Sequence, residues 1–262
     1  MDILICVKQV PDDYAEIHLD AATGKPAVDG VDQVANAFDT YALEMAVRHC
    51  EANGGTVSVA AIGPKSAENT LKNLLAVGAY KAFLISDSAL ENGDEAAVAA
   101  WLAKVVRKCE EENGAPYGLV LCGKESTDEI SSQVGARLAE ILNVGFVSGV
   151  VGFTCSDDVL TAKQETEDGY VKYETAVPAV FTVAKPGYDP RYPSIKSKLA
   201  ARKAKIPVFT AADIGVGPME HKAECVGYYE PLKRAAGVKI KEEQAAETVA
   251  RAMELLRADK VL

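Results

Sequence analysis

Three stretches of the sequence place glycine, hydroxyl or cationic side chains directly after short apolar runs. They are Lys8 to Asp12, Gly63 to Ser66 and Gly123 to Gly135. Glycine allows a ligand to approach the backbone closely, and serine, threonine and lysine donate hydrogen bonds to anionic oxygens. This chemistry suits the phosphate groups of a nucleotide.

The third stretch is the most informative. Its hydroxyl side chains, Ser131 and Ser132 among them, precede a predicted helix start, where free N–H groups and the helix dipole favour an anion. A structural interpretation is also open, in which Ser126 to Asp128 cap the helix and Gly135 lets it approach the sheet. Residue chemistry alone does not choose between the two.

Other positions have the same double interpretation. Asn36 and Asp39, at a second predicted helix start, could hydrogen-bond a nucleotide or simply begin the helix. Lys8 could meet a phosphate or remain a solvated surface lysine. Trp101 shares a helical face with apolar neighbours and is predicted to be a core residue.

Several common signatures are absent from the sequence. It contains neither G-x-x-x-x-G-K-[ST] nor G-x-G-x-x-G, and it has no G-x-S-x-G elbow of a hydrolase. The six cysteines form no C-x-x-C pair, and the three histidines have no metal-ligand spacing. We therefore expect reduced thiols and no bound metal or cluster.

The overall charge limits the classes of partner. With 28 basic and 38 acidic residues, the net charge is -10, which disfavours binding to a nucleic acid backbone. No apolar run approaches the roughly 20 residues of a membrane-spanning helix, so no membrane insertion is expected. The N-terminus lacks the basic and apolar regions of a signal peptide, which predicts a cytoplasmic protein.

Strand-like and helical periods alternate over the first 145 residues. This alternation predicts an α/β fold with a mostly parallel sheet flanked by helices, which binds ligands at the carboxyl ends of its strands. The predicted strands are Ile3 to Val7, Thr56 to Ile62, Ala82 to Ser86 and Gly118 to Cys122.

From about Phe146 the pattern changes to short β-rich runs without helices between them. Asp157-Asp158 and Asp168-Gly169 supply turns, so these runs are predicted to be antiparallel. They are Val147 to Phe153, Val159 to Lys163, Tyr170 to Glu174 and Ala179 to Val183.

The remaining segments contrast with one another. Lys185 to Pro193 carries three prolines in nine residues and predicts an exposed loop. Lys196 to Lys205 carries five basic residues in ten, which form either a solvated face or a docking surface for an acidic partner. A final helix is predicted over Lys241 to Ala258, with an apolar stripe that needs a surface to lie against.

Six motifs, taken together and in this order, make the chain resemble the β subunit of electron-transfer flavoproteins through most of its length. They are Ile3 to Asp12, Asn36 to Glu44, Ala76 to Ala79, Asp128 with Gln133-Val134-Gly135, Val177 to Val183, and Pro190 to Pro207.

The resemblance implies a heterodimer with an α subunit that carries a shuttling FAD, while this subunit binds a second adenine nucleotide. The implied cofactor-binding residues are Cys6, Val7, Lys8, Pro11, Asn36, Asp39, Gly63, Pro64, Gly123, Lys124, Ser126, Thr127, Asp128, Ser131, Ser132, Gln133, Val134 and Gly135. Arg191, Tyr192 and Ile195 are expected to recognise an acyl-CoA dehydrogenase-type flavoenzyme. The expected divisions are an α/β nucleotide-binding domain, a partner-recognition loop with its basic segment, and a C-terminal arm contacting the α subunit: residues 1–184, 185–207 and 208–262.

The opening motif and Asp39 resemble the electron-bifurcating members, which bind a second FAD, more than the simple carriers, which bind AMP. We therefore expect FAD, with NADH as electron donor and ferredoxin or flavodoxin as low-potential acceptor; the AMP-binding carrier is the alternative. No catalytic activity is expected of the chain alone. The chain departs from the family pattern at Glu125, Ile130, Gln164 and Val171. Glu125 beside a phosphate would be unfavourable unless it points away.

Two interpretations lie outside this family. A stand-alone ligase of the ATP pyrophosphatase type needs a serine- and glycine-rich loop after the first strand, where this chain has Lys8 to Pro11. A stress-type nucleotide-binding module would purify as a colourless monomer that binds ATP, not as a yellow heterodimer.

Overall fold

The structure is a computed structural model that describes residues 1–217, 222–223, 225–230, 232 and 236–262. The remaining positions, all within the predicted arm, lie outside the described residues. The chain divides into two compact units. The larger comprises Met1–Ile17 and Ala27–Val226, and the smaller comprises His18–Pro26 and Gly227–Leu262.

Strands and helices alternate through the first half of the larger unit, as predicted. In chain order its elements are β1 (Ile3–Val7), β2 (Gln9–Pro11), β3 (Gln33–Ala35), α1 (Ala37–Asn53), β4 (Val57–Ile62), α2 (Ala67–Ala76), β5 (Lys81–Ile85), α3 (Glu95–Asn113), β6 (Leu119–Gly123), α4 (Val134–Leu142), β7 (Gly145–Ser156), β8 (Val159–Thr166), β9 (Gly169–Ala176), β10 (Ala179–Val183), α5 (Ile195–Arg202) and β11 (Val208–Phe209).

One mixed sheet organises the larger unit, with nine strands in the order β11-β5-β4-β1-β6-β10-β7-β8-β9. Neighbouring strands are parallel from β11 to β7, and β8 and β9 continue the sheet in antiparallel pairing. β2 and β3 form a separate antiparallel ribbon. The predicted α/β fold, with a mostly parallel sheet and additional antiparallel strands, is confirmed.

The predicted antiparallel pairing of Ala179 to Val183 is wrong. This strand, β10, runs parallel to both of its neighbours, β6 and β7. All five of its residues are buried, as expected of a strand covered on both faces of a parallel sheet. The antiparallel prediction for Val147 to Phe153 holds on one side only, because β7 is antiparallel to β8 but parallel to β10.

Helices cover both faces of the sheet, and alternate residues of β1 show this directly. Ile3 and Ile5 belong to one buried cluster, which contains residues of α1 and α2. Leu4 and Cys6 belong to a second cluster, which contains residues of α3 and α4. This arrangement follows from the period of two along a strand, which points successive side chains to opposite faces.

The smaller unit contains α6 (Ala245–Ala258), which begins four residues later than the predicted helix. Its apolar stripe includes Val249, Met253 and Leu256, which are exposed. None of the helices in the described ranges is both long and apolar enough to cross a membrane.

Candidate functional site

The carboxyl ends of β1 and β6 meet at the point where the chain changes direction across the sheet. From β1 the chain proceeds to β4 and β5 on one side, and α3 then returns it to β6 on the other side of β1. Such topological switch points are the usual ligand positions in sheets of this type. A cavity of about 330 Å³ opens at this point.

Most of the residues predicted from the sequence line this cavity. They are Cys6, Val7, Lys8, Asn36, Asp39, Gly123, Lys124, Ser126, Ser131, Ser132, Gln133, Val134 and Gly135. Thr127 and Asp128 belong to the same loop but are not among the lining residues. Pro11 lies at the end of β2, and Gly63 and Pro64 lie between β4 and α2, so the structure does not bring these three into the cavity wall.

Asn36 and Asp39 tie the ends of the two strands together. Asp39 Oδ2 accepts the backbone N–H of Lys8 at 2.8 Å, and Asp39 Oδ1 accepts the backbone N–H of Gly123 at 2.9 Å. Asn36 donates from Nδ2 to Asp39 Oδ1 at 3.0 Å and to the Glu125 carbonyl at 2.9 Å. The polar atoms of this pair are therefore directed at the protein backbone, and their first role is to shape the cavity.

Burial dominates the electrostatics of Asp39. Loss of hydration raises the pKa of its carboxyl to about 7, although N–H groups of Lys8, Asn36 and Gly123 favour the charged form. A carboxyl with a pKa this high is a frequent mark of a functional site. Here both of its oxygens accept hydrogen bonds from the protein, which indicates a structural role. Gly123 is part of the same arrangement, because a Cβ atom there would collide with Asp39 and lie 2.8 Å from Asn36 Nδ2.

Lys8 projects into the loop that follows β6. Its Nζ lies 2.9 Å from Asp128 Oδ1 and 2.9 Å from Glu129 Oε2, and it donates to Ser126 Oγ at 3.4 Å. Lys8 is therefore not a freely solvated surface lysine. It is an ammonium group that lines the cavity and is held there by two carboxylates.

The start of α4 provides donors with no partner within the helix. The first N–H groups of any α-helix lack intrahelical acceptors, and Gln133 makes no capping hydrogen bond from its side chain. Gln133, Val134 and Gly135 all line the cavity. Gly135 also allows α4 to approach the sheet, because a Cβ atom there would collide with the Thr182 methyl group. The helix start thus offers an anion site, and Gly135 has the packing role as well.

The loop departures have clear positions. The Glu125 carboxylate accepts the Ser132 hydroxyl at 2.7 Å and lies 3.8 Å from Lys124 Nζ, so it is engaged within the loop. Ile130 is 65% exposed and has a φ of 55°, and Ser132 has the same φ. A left-handed backbone is unfavourable for a β-branched residue.

One wall of the cavity was not anticipated from the sequence. It comes from the end of β4, from the connection between β5 and α3, and from the first turns of α3. Its lining residues are Ile62, Leu90, Asn92, Gly93, Glu95, Val98, Trp101 and Leu102. Trp101 is buried, as predicted for a core residue, yet it also lines the cavity. The sequence offered one signal for this wall. The connection follows a predicted parallel strand, β5, whose carboxyl end lies at the same edge of the sheet as those of β1 and β6.

The predicted partner-recognition residues lie at the start of α5 and in the loop before it. Tyr192 and Ile195 are 94% and 81% exposed. Arg191 is instead held by α1: its guanidinium bonds Glu44, which is buried, and Glu51, which is exposed. Glu44 also pairs with Arg48, whose guanidinium lies 4.0 Å from the centre of the Tyr188 ring. The loop is thus fixed at one point and presents exposed apolar groups beside it.

The residues present fit an adenine nucleotide. The polar part of the cavity contains two lysines, hydroxyl groups and an uncapped helix start, together with the carboxylates of Glu125 and Glu129. The β5–α3 wall is mainly apolar. A phosphate and a purine base need these two environments, respectively. Among the described residues no group of histidine, cysteine and acidic side chains is placed to hold a metal ion.

Comparison with known proteins gives a consistent result. Residues 25–214 match the electron transfer flavoprotein domain family. The chain is 31% identical to "Electron transfer flavoprotein subunit beta" of Megasphaera elsdenii, over the full length of both proteins. It is 37% identical to the protein of the same name from Thermoanaerobacterium thermosaccharolyticum, covering 84% of this chain and 82% of that protein. It is 35% identical to "Caffeyl-CoA reductase-Etf complex subunit CarD" of Acetobacterium woodii, covering 83% and 81%.

Proposed function

The chain belongs to the electron transfer flavoprotein family, as its β subunit, and we propose that its strand-end cavity holds the adenylate portion of FAD in a heterodimer with the α subunit. The observation that supports this most directly is the convergence of Lys8, the loop after β6 and the uncapped start of α4 on one cavity at the switch point.

Each part of the cavity has a distinct task in this proposal. The start of α4 and the hydroxyl groups of the loop bind the phosphates, with Lys8 as a counter-ion. The apolar wall from β5 and α3 receives the base. The Asn36–Asp39 pair holds the ends of β1 and β6 in register, so that the cavity is formed before the ligand binds.

The electron transfer route is the finer part of the proposal. The bound flavin would supply the redox chemistry, with NADH as hydride donor, while the protein sets its position and electrostatic environment. The proposed electron acceptors are the α-subunit FAD, which leads to an acyl-CoA dehydrogenase-type flavoenzyme, and a low-potential carrier, ferredoxin or flavodoxin. The name of the Acetobacterium woodii relative, which places it in a complex with a CoA-ester reductase, supports a partner of this class.

The AMP-binding carrier is the second candidate, and one observation favours it. A cavity of about 330 Å³ is at the small end of the 300–1,000 Å³ typical of ligand sites, so it can enclose a mononucleotide more completely than a dinucleotide. In the FAD proposal the flavin portion would lie outside this cavity.

Flavin counting separates these candidates. The chain is co-expressed with its α subunit, the complex is purified, and bound flavin and AMP are released and quantified. Two FAD per heterodimer, with bleaching of flavin absorbance by NADH, is the expected result. One FAD plus one AMP would replace the FAD proposal with the carrier function, and a complex that retains neither nucleotide in this subunit would refute both.

A further inference from the structure

Asp94 joins one wall of the cavity to the C-terminal part of the chain. Its Oδ1 accepts the backbone N–H of Ala97 at 2.8 Å and so caps α3. Its Oδ2 accepts the backbone N–H of Ala223 at 2.9 Å and also that of Lys222, which lies 128 residues further along the chain. One carboxylate therefore fixes the start of α3 and holds a distant segment at the same time.

The residues on both sides of Asp94 form the cavity wall. Asn92, Gly93 and Glu95 all line the cavity. Gly93 also lies against the buried ring of Trp101, because a Cβ atom at Gly93 would collide with Cη2 and Cζ3 of the indole. The position of this wall therefore depends on the contacts that hold Asp94.

A second aspartate in the same connection makes the same type of contact in different surroundings. Asp87 Oδ1 accepts the backbone N–H of Ala89 at 3.0 Å, and Asp87 Oδ2 accepts that of Ala211 at 3.0 Å. Ala211 and Ile214 are buried in the hydrophobic cluster that also contains Leu90. Packing therefore holds this part of the chain against the connection in addition to the bond with Asp87.

The segment that bonds Asp94 is placed differently, because Lys222 and Ala223 are exposed. The chain continues from this segment into the smaller unit, whose helix α6 carries the exposed apolar stripe that we expect to contact the α subunit. Binding of that stripe would constrain the chain that leads to it. The bonds to Asp94 are thus a direct connection from the C-terminal part of the chain to the cavity wall.

We propose that Asp94 is a positioning residue that couples binding of the α subunit to binding of the nucleotide. The proposal rests on the proposed function and deepens it by assigning a regulation to that site. With α6 bound to the α subunit, Lys222 and Ala223 hold Asp94, and Asp94 holds the wall that receives the base. Each of the two ligands then binds more tightly in the presence of the other, because both favour the same position of the wall.

Asp94→Asn tests the coupling without a change of shape. Asparagine caps a helix as well as aspartate does, so its oxygen keeps the bond to Ala97. Its amide group is a donor and cannot accept the N–H groups of Lys222 and Ala223. The variant therefore removes the connection to the C-terminal segment and retains the cap of α3.

The matched control is Asp87→Asn, which keeps the bond to Ala89 and loses the bond to Ala211. It removes the same kind of bond from the same connection, but packing of Ala211 still holds that part of the chain. The control should lower the stability of the fold and leave the coupling intact. Urea unfolding of both variants compares their stabilities.

AMP affinity is measured by calorimetry for the full-length chain alone and for the heterodimer from which the nucleotide of this subunit has been removed. In the wild type and in Asp87→Asn, the α subunit should raise the affinity about tenfold, the scale of one hydrogen bond to a charged group. AMP should strengthen binding of the α subunit by the same factor. In Asp94→Asn both factors should fall below twofold.

Three results would overturn the coupling. The α subunit could raise the AMP affinity of Asp94→Asn as much as that of the wild type, which would show direct contact of the α subunit with the nucleotide. It could leave the affinity of the wild type unchanged. If Asp94→Asn does not fold, hydrogen exchange of the wild type decides: the α subunit should slow exchange of residues 95–98 together with 222–223, and slowing confined to 222–223 would be the third contrary result.

Failure of the proposed function has a different signature. If neither the wild-type chain nor its heterodimer binds any adenylate, the proposed function fails, and the coupling fails with it. If both bind AMP with the same affinity, the proposed function stands and only the role of Asp94 is refuted.

Discussion

The Glu44–Arg191 contact yields a quantitative prediction for the loop that presents Tyr192 and Ile195. Glu44 accepts hydrogen bonds from Arg191 Nε at 2.8 Å, from the Arg191 backbone N–H at 3.1 Å and from Nη2 at 3.3 Å, and it pairs with Arg48. Its side chain is 3% exposed. We predict that Glu44→Gln, which keeps the shape and removes the charge, destabilises the protein.

The expected cost follows from burial. Removal of one partner of a buried ion pair costs about 3–5 kcal/mol. Arg191 is 33% exposed and keeps Glu51 as a partner, so we place the cost of Glu44→Gln near 2–3 kcal/mol. Glu51 bonds the same guanidinium but is 59% exposed, and Glu51→Gln should cost no more than about 1 kcal/mol. Both variants remove a carboxylate from the same guanidinium, one at a buried and one at an exposed position, which makes Glu51→Gln the matched control.

Urea unfolding of both variants at pH 7.5 measures these costs, and limited proteolysis of residues 185–193 measures release of the loop. Burial alone would raise the pKa of Glu44, but its bonds with Arg191 and Arg48 hold the pKa below its ordinary value of 4.5. Its stabilising effect is therefore present at neutral pH and lost in acid, as the pH falls from 4.5 through the lowered pKa of the folded protein. Equal costs for Glu44→Gln and Glu51→Gln, or a cost of Glu44→Gln that does not shrink in acid, would refute this reasoning.

Three further predictions concern the cavity. The pKa of Asp39 is raised from 3.8 to about 7, so its ionisation destabilises the fold as the pH rises between these values. The unfolding free energy of the wild type minus that of Asp39→Asn should therefore decrease by up to about 4 kcal/mol from pH 4 to pH 8, because only the wild type ionises at this position. A difference that does not change with pH would contradict the assignment. Gly135→Ala should destabilise by about 1–3 kcal/mol in thermal or urea unfolding, because its methyl group meets that of Thr182, and Thr182→Ser should rescue it; failure of the rescue would disprove the contact. Ile130→Asn should stabilise by about 1 kcal/mol by relieving the positive φ, whereas Ile141→Asn, at an exposed position within α4, should give no gain; calorimetric melting of both variants checks this.

Hydrophobic periodicity predicted most of the fold, because the first half alternates short apolar runs with segments of helical spacing. β1 and β10 were predicted with their observed bounds, and β4, β5 and β6 were predicted to within one residue, whereas β11 was not predicted. Hydrophobic periodicity does not predict whether a strand runs parallel or antiparallel to its neighbours. β10 has a strong strand signal, but direction depends on which strands lie beside it, and β10 enters the sheet between β6 and β7, far from its neighbour in sequence, β9.

The site could be predicted where its residues are contiguous in the sequence. The loop after β6 could be located because its glycine, hydroxyl groups and helix start are contiguous. The roles of Asn36 and Asp39 could not be derived, since their partners are backbone N–H groups at Lys8 and Gly123, which only the tertiary fold brings near. The wall that contains Trp101 was missed for a related reason. An apolar residue on a helix face is predicted to be buried, but the sequence does not show whether other protein atoms or a cavity face its side chain.

For the proposed nucleotide, the charges around the cavity indicate which group would contribute most to its affinity. Lys8 already bonds Asp128 and Glu129, and Lys124 lies near Glu125, so a phosphate that approaches these lysines exchanges with carboxylates and gains little. The N–H groups at the start of α4 have no such competitor from the side chain of Gln133. In the proposed site, the net stabilisation of a phosphate would therefore come mainly from the helix start. Because Ser132 bonds Glu125, the carboxylate is kept engaged within the loop, and the departure from the family pattern at this position is compatible with an anion bound at α4.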